Sequence, residues 1–332
     1  MTPPAVPAAE PAALRADTVY DEAVTAARLL YRTLETEEKN STSLFWPENI
    51  VRKIWLLLHD DSPRLLALTL RSTPDHFLFG HVANMTVLSM RLGLAVGLEE
   101  DDLITLGLSA FLNEMGLAPL LELVSKPTTL TEDEVRRIRQ HVEAGVKMLD
   151  LFAIPENSRK ATLRQIIGQC HERVSGTGYP KGLKKEAIHP FAKMIGIVDS
   201  YEAVTHPRPW RPKTLPADVL KRFVEENPEE FDPLLIRALV DSLSLYPPGS
   251  FVRLNNGEVG QVAAITPGLP LRPRVRVFMD KTGQRVSPPR AVSLAAEPTV
   301  FVAQSVDETA LSTPSPRLRA ELRAQTLWVK GL

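Results

Sequence analysis

Among the metal-capable side chains of this 332-residue sequence, His81, Glu114, His141, His171, Glu172 and Asp199 stand out as one candidate set. They lie on or beside separate helical segments. Imidazole nitrogen with carboxylate oxygen suits a transition-metal ion, and in a bundle such donors meet when facing helices project them inward. They form no compact ligand motif, so spacing alone leaves the ordinary alternatives open. Each histidine could be a surface or hydrogen-bonded core residue, and Glu114 and Glu172 could be solvated charges. The single cysteine, Cys170, excludes an intrachain disulfide. It reads as a small buried apolar residue in preference to a thiolate ligand.

The elements that must position these groups are mostly helices. Apolar residues recur at helical spacing from Asp17 to about Glu38, through Tyr20, Ala23, Val24, Ala27, Leu30 and Leu34. Further helices are expected over Glu48–His59, Asp61–Leu70, Asp75–Gly97, Asp101–Met115 and Ser158–Cys170, and then over Pro190–Thr205, Ala217–Glu225 and Asp232–Leu243. Thr131-Glu132-Asp133-Glu134 is a capping box and predicts one helix running to about Phe152. Gly176 to Gly182 must be a loop, because Gly and Pro interrupt both periodicities. After Tyr246-Pro247-Pro248-Gly249 the pattern changes to strands at 250–254, 259–265, 274–279 and 300–303, with a turn at Asn255-Asn256-Gly257-Glu258. The expected fold is mainly α: a helical bundle with an N-terminal helical segment and a small C-terminal β-barrel-like module. The expected divisions are a disordered leader (1–16), an N-terminal helical segment (17–74) serving dimerisation or regulation, a helical domain (75–246), the β module (247–305) and a C-terminal helix or tail (306–332).

Lys plus Arg number 39 against 40 Asp plus Glu, and 44% of residues are hydrophobic. That balance gives no pull toward nucleic acid or anionic lipid. Met1 to Pro11 lack the basic start and apolar stretch of a signal peptide. No uninterrupted apolar run is long enough to span a bilayer, so a cytoplasmic protein is expected.

Longer motifs sharpen the reading. His171-Glu172-Arg173 followed by Ser175-Gly176-Thr177-Gly178-Tyr179-Pro180-Lys181-Gly182-Leu183 resembles the HHE and DGxGYPxGL signature of HD-GYP domains. Ile197-Val198-Asp199-Ser200-Tyr201-Glu202-Ala203-Val204-Thr205 and Arg208-Pro209-Trp210-Arg211 resemble the family's VADxFDALTxxRPYR segment. Upstream, Lys126-Pro127, Leu130-Thr131 and His141 with Glu143-Ala144-Gly145 follow its KPGKLT and HPxxG patterns. The resemblance covers most of residues 75–245, in order. It implies the HD-domain helical fold and hydrolysis of cyclic di-GMP, in which iron or manganese ions activate water and neutralise phosphodiester charge.

The sequence departs from that pattern where the chemistry is most demanding. The HDxGK helix reads Asn113-Glu114-Met115-Gly116-Leu117. Asn113 replaces a histidine ligand, Glu114 the bridging aspartate, and Leu117 the lysine that would contact phosphate. Cys170 replaces the first histidine of HHE, and Ser175 the aspartate of the DG pair. Phe77 stands where some members supply a glutamate to a third metal. The remaining ligand set is His81, Glu114, His141, His171 and Asp199, enough for one ion or two, with iron or manganese at reduced occupancy or no metal at all. The expectation is a catalytically impaired signalling or scaffold protein in cyclic-di-GMP pathways. Gly178, Tyr179 and Pro180 would dock a GGDEF-domain or other signalling partner. The alternatives are residual metal-dependent phosphodiesterase activity, or cyclic-di-GMP sensing without cleavage through Lys181, Lys184, Lys185, Arg208 and Arg211. A homodimer is also open; neither nucleic acid nor membrane is expected as a partner.

Overall fold

The computed structural model describes residues 15–35, 43–60, 62–71, 77–154, 158–225, 229–307 and 311. The expected leader up to residue 14 and the expected C-terminal helix or tail from 312 on lie outside these described residues.

The helical part begins with α1 (Ala16–Glu35), α2 (Phe45–Asp60) and α3 (Ser62–Leu68). These pack with α4 (Phe77–Ala95) and α5 (Glu100–Leu112). Helix α4 is the hub. It is buried on nearly every side, from Phe77 through Gly93, as an apolar helix inside a bundle must be. One continuous apolar cluster runs from Ala16 to Leu243, so the first three helices share the core of the bundle and are not a separate appendage. Each fully buried Leu, Ile or Val side chain contributes roughly 1.5–3 kcal/mol, and this shared core is what fixes α4 in place.

After α5 the chain tightens into a 3-10 turn, Met115–Leu120, and the short α6 (Leu121–Val124). Residues Glu100–Val124 are apolar enough by composition to cross a membrane, which the sequence reading did not anticipate. The run is broken at Asn113-Glu114 and 83% of its apolar window is buried, so it serves as a core element of the bundle. The capping box at Thr131 forms as expected, with Thr131 Oγ1 accepting from the Glu134 amide and the Glu134 carboxylate accepting from the Thr131 amide. The single helix expected to follow is instead two: α7 (Glu132–Arg139) and α8 (His141–Met148), divided at Gln140. Then come α9 (Ser158–Ile167), α10 (Pro190–Thr205), α11 (Pro216–Glu225) and α12 (Pro233–Leu243).

The C-terminal module is one antiparallel sheet: β1 (Phe251–Leu254), β2 (Val259–Ala264), β3 (Arg274–Met279), β4 (Arg285–Ser293) and β5 (Val302–Val306), in the order β4-β3-β2-β1-β5. The expected barrel is corrected to an open sheet, since β4 and β5 are edges that do not pair with each other. Strand β4 went unpredicted because it carries Pro288 and Pro289. Proline cannot donate to a ladder and is tolerated on an edge, so these residues explain both the missed strand and the open edge.

Candidate metal centre

Four backbone features bring the candidate ligands together. First, α5 ends at Leu112 with Asn113 as its C-cap, and Glu114 leaves helical geometry (φ −95°, ψ 4°) as the 3-10 turn begins. Second, Gly116 lies hard against α8: a Cβ there would stand 2.0 Å from the His141 carbonyl oxygen. Only glycine permits that approach, which carries Glu114 to His141. Third, the break at Gln140 puts His141 at the start of α8, with Nδ1 2.6 Å from the Ile138 carbonyl oxygen. This hydrogen bond fixes the tautomer and leaves Nε2 as the free donor atom. Fourth, His81 and Asn84 sit three residues apart on α4 and face Asp199 and Glu202, three apart on α10.

The result is two donor groups that share one carboxylate. Glu114, His141 and His171 form one; His81, Glu114 and Asp199 form the other. Within each, the ligand atoms lie within 4.8 Å of one another. His171 Nε2 is 3.1 Å from Glu114 Oε1 and 3.0 Å from His141 Nε2. His141 Nε2 is 3.5 Å from Glu114 Oε2, and Asp199 lies 3.5 Å from both His81 Nε2 and His171 Nδ1. Burial opposes charge on His171, but hydrogen bonds to Asp199 and Glu114 outweigh it and lift the imidazole to about 9. Burial likewise opposes the Glu114 carboxylate, and the neighbouring His141 and His171 hold its pKa down. His141 goes the other way: burial lowers its pKa.

The residues present fit a metal ion. Five imidazole and carboxylate side chains converge in a buried place, and the two donor atoms His81 Nε2 and His141 Nε2 are aimed by partners on the opposite ring nitrogen. Asn113 Oδ1, beside Glu114, is buried with no hydrogen-bond partner among the described residues. A buried acceptor in that state calls for a cation or an ion-bound water. His81, Glu114, His141, His171 and Asp199 would hold the ion, which supplies Lewis-acid polarisation and activated water when bound.

All five expected ligands are therefore brought together. Cys170 is not among them; its thiol is wholly buried, lies 3.1 Å from the Ile166 carbonyl oxygen, and is pushed to higher pKa by burial. Leu117 is 6% exposed and belongs to the apolar cluster. Ser175 Oγ bonds to Thr177 Oγ1 at 2.9 Å, on the loop. Glu172, for which both a metal-binding role and a solvated charge were open, is buried and accepts from the amides of Lys181 (2.8 Å) and Leu183 (2.9 Å). It is the anchor that shapes the loop. Gly178 rests on the His171–Arg173 backbone, where a Cβ would stand 2.4 Å from the Arg173 amide nitrogen.

Two expectations need correction. Tyr179, read as an exposed docking anchor, turns inward: its ring stacks on His171 at 4.9 Å and 5°, with Arg139 5.0 Å above it. Gly178 is half-buried beneath the loop, so of the three residues only Pro180 is exposed. Arg208 and Arg211, which the sensing alternative would turn toward phosphate and which otherwise read as surface charge, are engaged within the fold. Arg208 is buried and donates to Glu202 Oε2 at 3.0 Å, while Arg211 donates to carbonyls including Ala203 and Val204.

Sequence reasoning missed Glu202. It is 1% exposed and accepts from His81 Nδ1, turning Nε2 toward Asp199. Burial would raise its pKa, but His206, His81 and Arg208 hold it well below the usual carboxylate range. The i, i+3 spacing to Asp199 was the available signal.

Comparisons with known proteins place the chain among relatives. A family model described as "HD domain" matches residues 57–235, and one described as "KOW domain associated with HD domain" matches 251–313. A cyclic di-GMP phosphodiesterase of Pseudomonas aeruginosa, PA4108, is 32% identical over 69% of this chain and 55% of its own length. A 3'3'-cGAMP-specific phosphodiesterase of Vibrio cholerae is 29% identical over 51% of this chain and 36% of its own. The chain thus spans about half or less of the length of these relatives. Bd1817, an HD-GYP-type protein from Bdellovibrio bacteriovorus, shares the fold: TM-score 0.53, 19% identity, 68% of this chain and 70% of that one. With donors assembled from α4, α8, α10, the turn after α5 and the loop after α9, and with the family model matching more than half of its length, the chain belongs to the HD domain family.

Proposed function

We propose that this protein is a hydrolytically impaired HD-GYP module that keeps a metal centre, binding iron or manganese, and acts as a signalling or scaffold component in cyclic-dinucleotide pathways. The observation that carries the reading is Leu117. One turn beyond Glu114, where the family resemblance implies a lysine for the scissile phosphate, stands a buried apolar side chain. A transition-state cation in a water-poor site is worth a few kcal/mol, on the order of 10²–10³ in rate. Asn113 in place of an imidazole ligand removes a second contribution from the same turn.

One observation favours a second reading, slow hydrolysis: Glu114 belongs to both donor groups, as a carboxylate bridging two ions would. Sensing without cleavage has less support, because Arg208 is buried and paired to Glu202 through Nη2, Arg211 donates to backbone carbonyls, and of the five candidate cations Lys181, Lys184 and Lys185 are the exposed ones. Docking of a GGDEF-type partner would rest on Pro180 and these lysines instead of the Tyr179 ring.

The test is turnover of cyclic di-GMP and 3'3'-cGAMP by protein loaded with Mn²⁺ or Fe²⁺. The expected rate is below about 0.01 s⁻¹, against roughly 1–10³ s⁻¹ for ordinary enzymes. A rate of about 1 s⁻¹ or more on either dinucleotide would overturn the proposal.

A further inference from the structure

We infer that Tyr20, on α1 and outside the segment matched by the HD model, is a positioning residue for the metal ligand His81, acting through Asn84 and Glu202. The inference rests on the metal-centre reading and adds to it a part of the molecule that no ligand pattern points to.

The argument follows the direction of each hydrogen bond. The Tyr20 hydroxyl donates to Asn84 Oδ1. An amide that accepts on its oxygen from one side must present its NH₂ elsewhere, and Asn84 Nδ2 donates to Glu202 Oε1 at 2.9 Å. The other oxygen, Oε2, accepts from His81 Nδ1 and from Arg208 at 3.0 Å. His81 is thereby held with Nε2 toward Asp199, within the donor group that includes Glu114. Tyr20, Asn84, Glu202, Arg208 and His81 are all 8% exposed or less, so solvent does not readily replace a missing partner.

Tyr20 therefore sets which way the Asn84 amide faces. Without its hydroxyl, the amide loses the donor that holds Oδ1. A flipped amide would put oxygen against the Glu202 carboxylate and free that carboxylate to leave His81. Burial keeps the Tyr20 phenol protonated, with its pKa well above the usual value, so it remains a donor. Partners of this kind, one shell beyond the metal, fix the ring orientation and basicity of ligating histidines.

Calorimetric titration of Mn²⁺ into the full chain tests this with three variants. Glu202→Gln should weaken Mn²⁺ binding on the order of 10–100-fold. Tyr20→Phe should weaken it roughly two- to tenfold, the size of one neutral hydrogen bond. The control is Thr86→Val on α4: Thr86 is wholly buried and, among the described residues, its hydroxyl bonds only to the Val82 carbonyl, at 2.8 Å. It should lower the urea midpoint and leave Mn²⁺ affinity unchanged, separating a positioning effect from general loosening. If Tyr20→Phe binds Mn²⁺ like wild type while Glu202→Gln is weakened, the role of Tyr20 is refuted and the metal centre stands. The same refutation follows if Thr86→Val weakens binding as much as Tyr20→Phe. If the wild-type chain takes up no Mn²⁺, the metal-centre reading fails first, and the inference with it.

Discussion

Removing metal should leave a protein whose stability falls as pH rises through the neutral range. In the metal-free centre His171 carries a proton, since hydrogen bonds to Asp199 and Glu114 raise it from 6.5 to about 9 against the cost of burial. A group whose folded pKa is raised gives stability that is complete below the unfolded value and lost as pH climbs through the folded value. The window is therefore pH 6.5 to about 9, and the gap between those values is worth about 3 kcal/mol. His81, also raised, pulls in the same direction. The carboxylates Glu114 and Asp199 have lowered pKa values, so their contribution is complete once pH is well above their unfolded values of 4.5 and 3.8, and it is flat across this window. His141 is lowered; its contribution is complete above about pH 6.5 and adds no slope. Urea unfolding of chelator-treated protein at pH 6.5, 7.5, 8.5 and 9.5 should show the decline. A His171→Asn variant should lose most of it. Saturating Mn²⁺ should remove it as well, because the ion takes the place of the proton and binding releases it. A metal-free protein equally stable at pH 6.5 and 9 would refute the idea that His171 is the charged partner of Glu114 and Asp199.

Two substitutions test the frame around the site. Gly116→Ala should cost about 3 kcal/mol or more and abolish Mn²⁺ binding, because its Cβ would sit 2.0 Å from the His141 carbonyl oxygen and push Glu114 away from α8; thermal melting and Mn²⁺ titration read the two effects. Tyr179→Ala should cost about 2 kcal/mol through the lost ring contacts with His171 and Arg139, visible as a lowered urea midpoint, and an unchanged midpoint would return Tyr179 to the role of an exposed anchor.

The helices were legible because burial leaves a periodic trace. Pro190–Thr205 was read to the residue, and α4 within two, since apolar spacing and the N1 proline at Pro190 report local physics. The breaks were not legible. Nothing in the residues around Gln140 forbids a continuing helix; the chain turns there so that His141 can reach Ile138 with Nδ1 and the centre with Nε2, a tertiary demand. The same holds for Tyr179. A Gly-Tyr-Pro loop looks exposed in a sequence, and only the close seat of Gly178 on the His171–Arg173 backbone turns the ring inward.

The ligands themselves were readable as residue types, whereas the groups that aim them were not. Glu202 and Asn84 read as ordinary helix residues, and Tyr20 as one more apolar position on an amphipathic helix. Their role appears once α1, α4 and α10 are packed, because each is buried polar and each must find a partner. A metal site of this kind constrains far more sequence than its five ligands. The losses at Asn113 and Leu117 leave the His81–Glu202–Asn84–Tyr20 side whole, whereas they strip the side that would meet phosphate. That asymmetry is what the proposed function expects, with ion binding holding α4 to α10 and hydrolysis impaired.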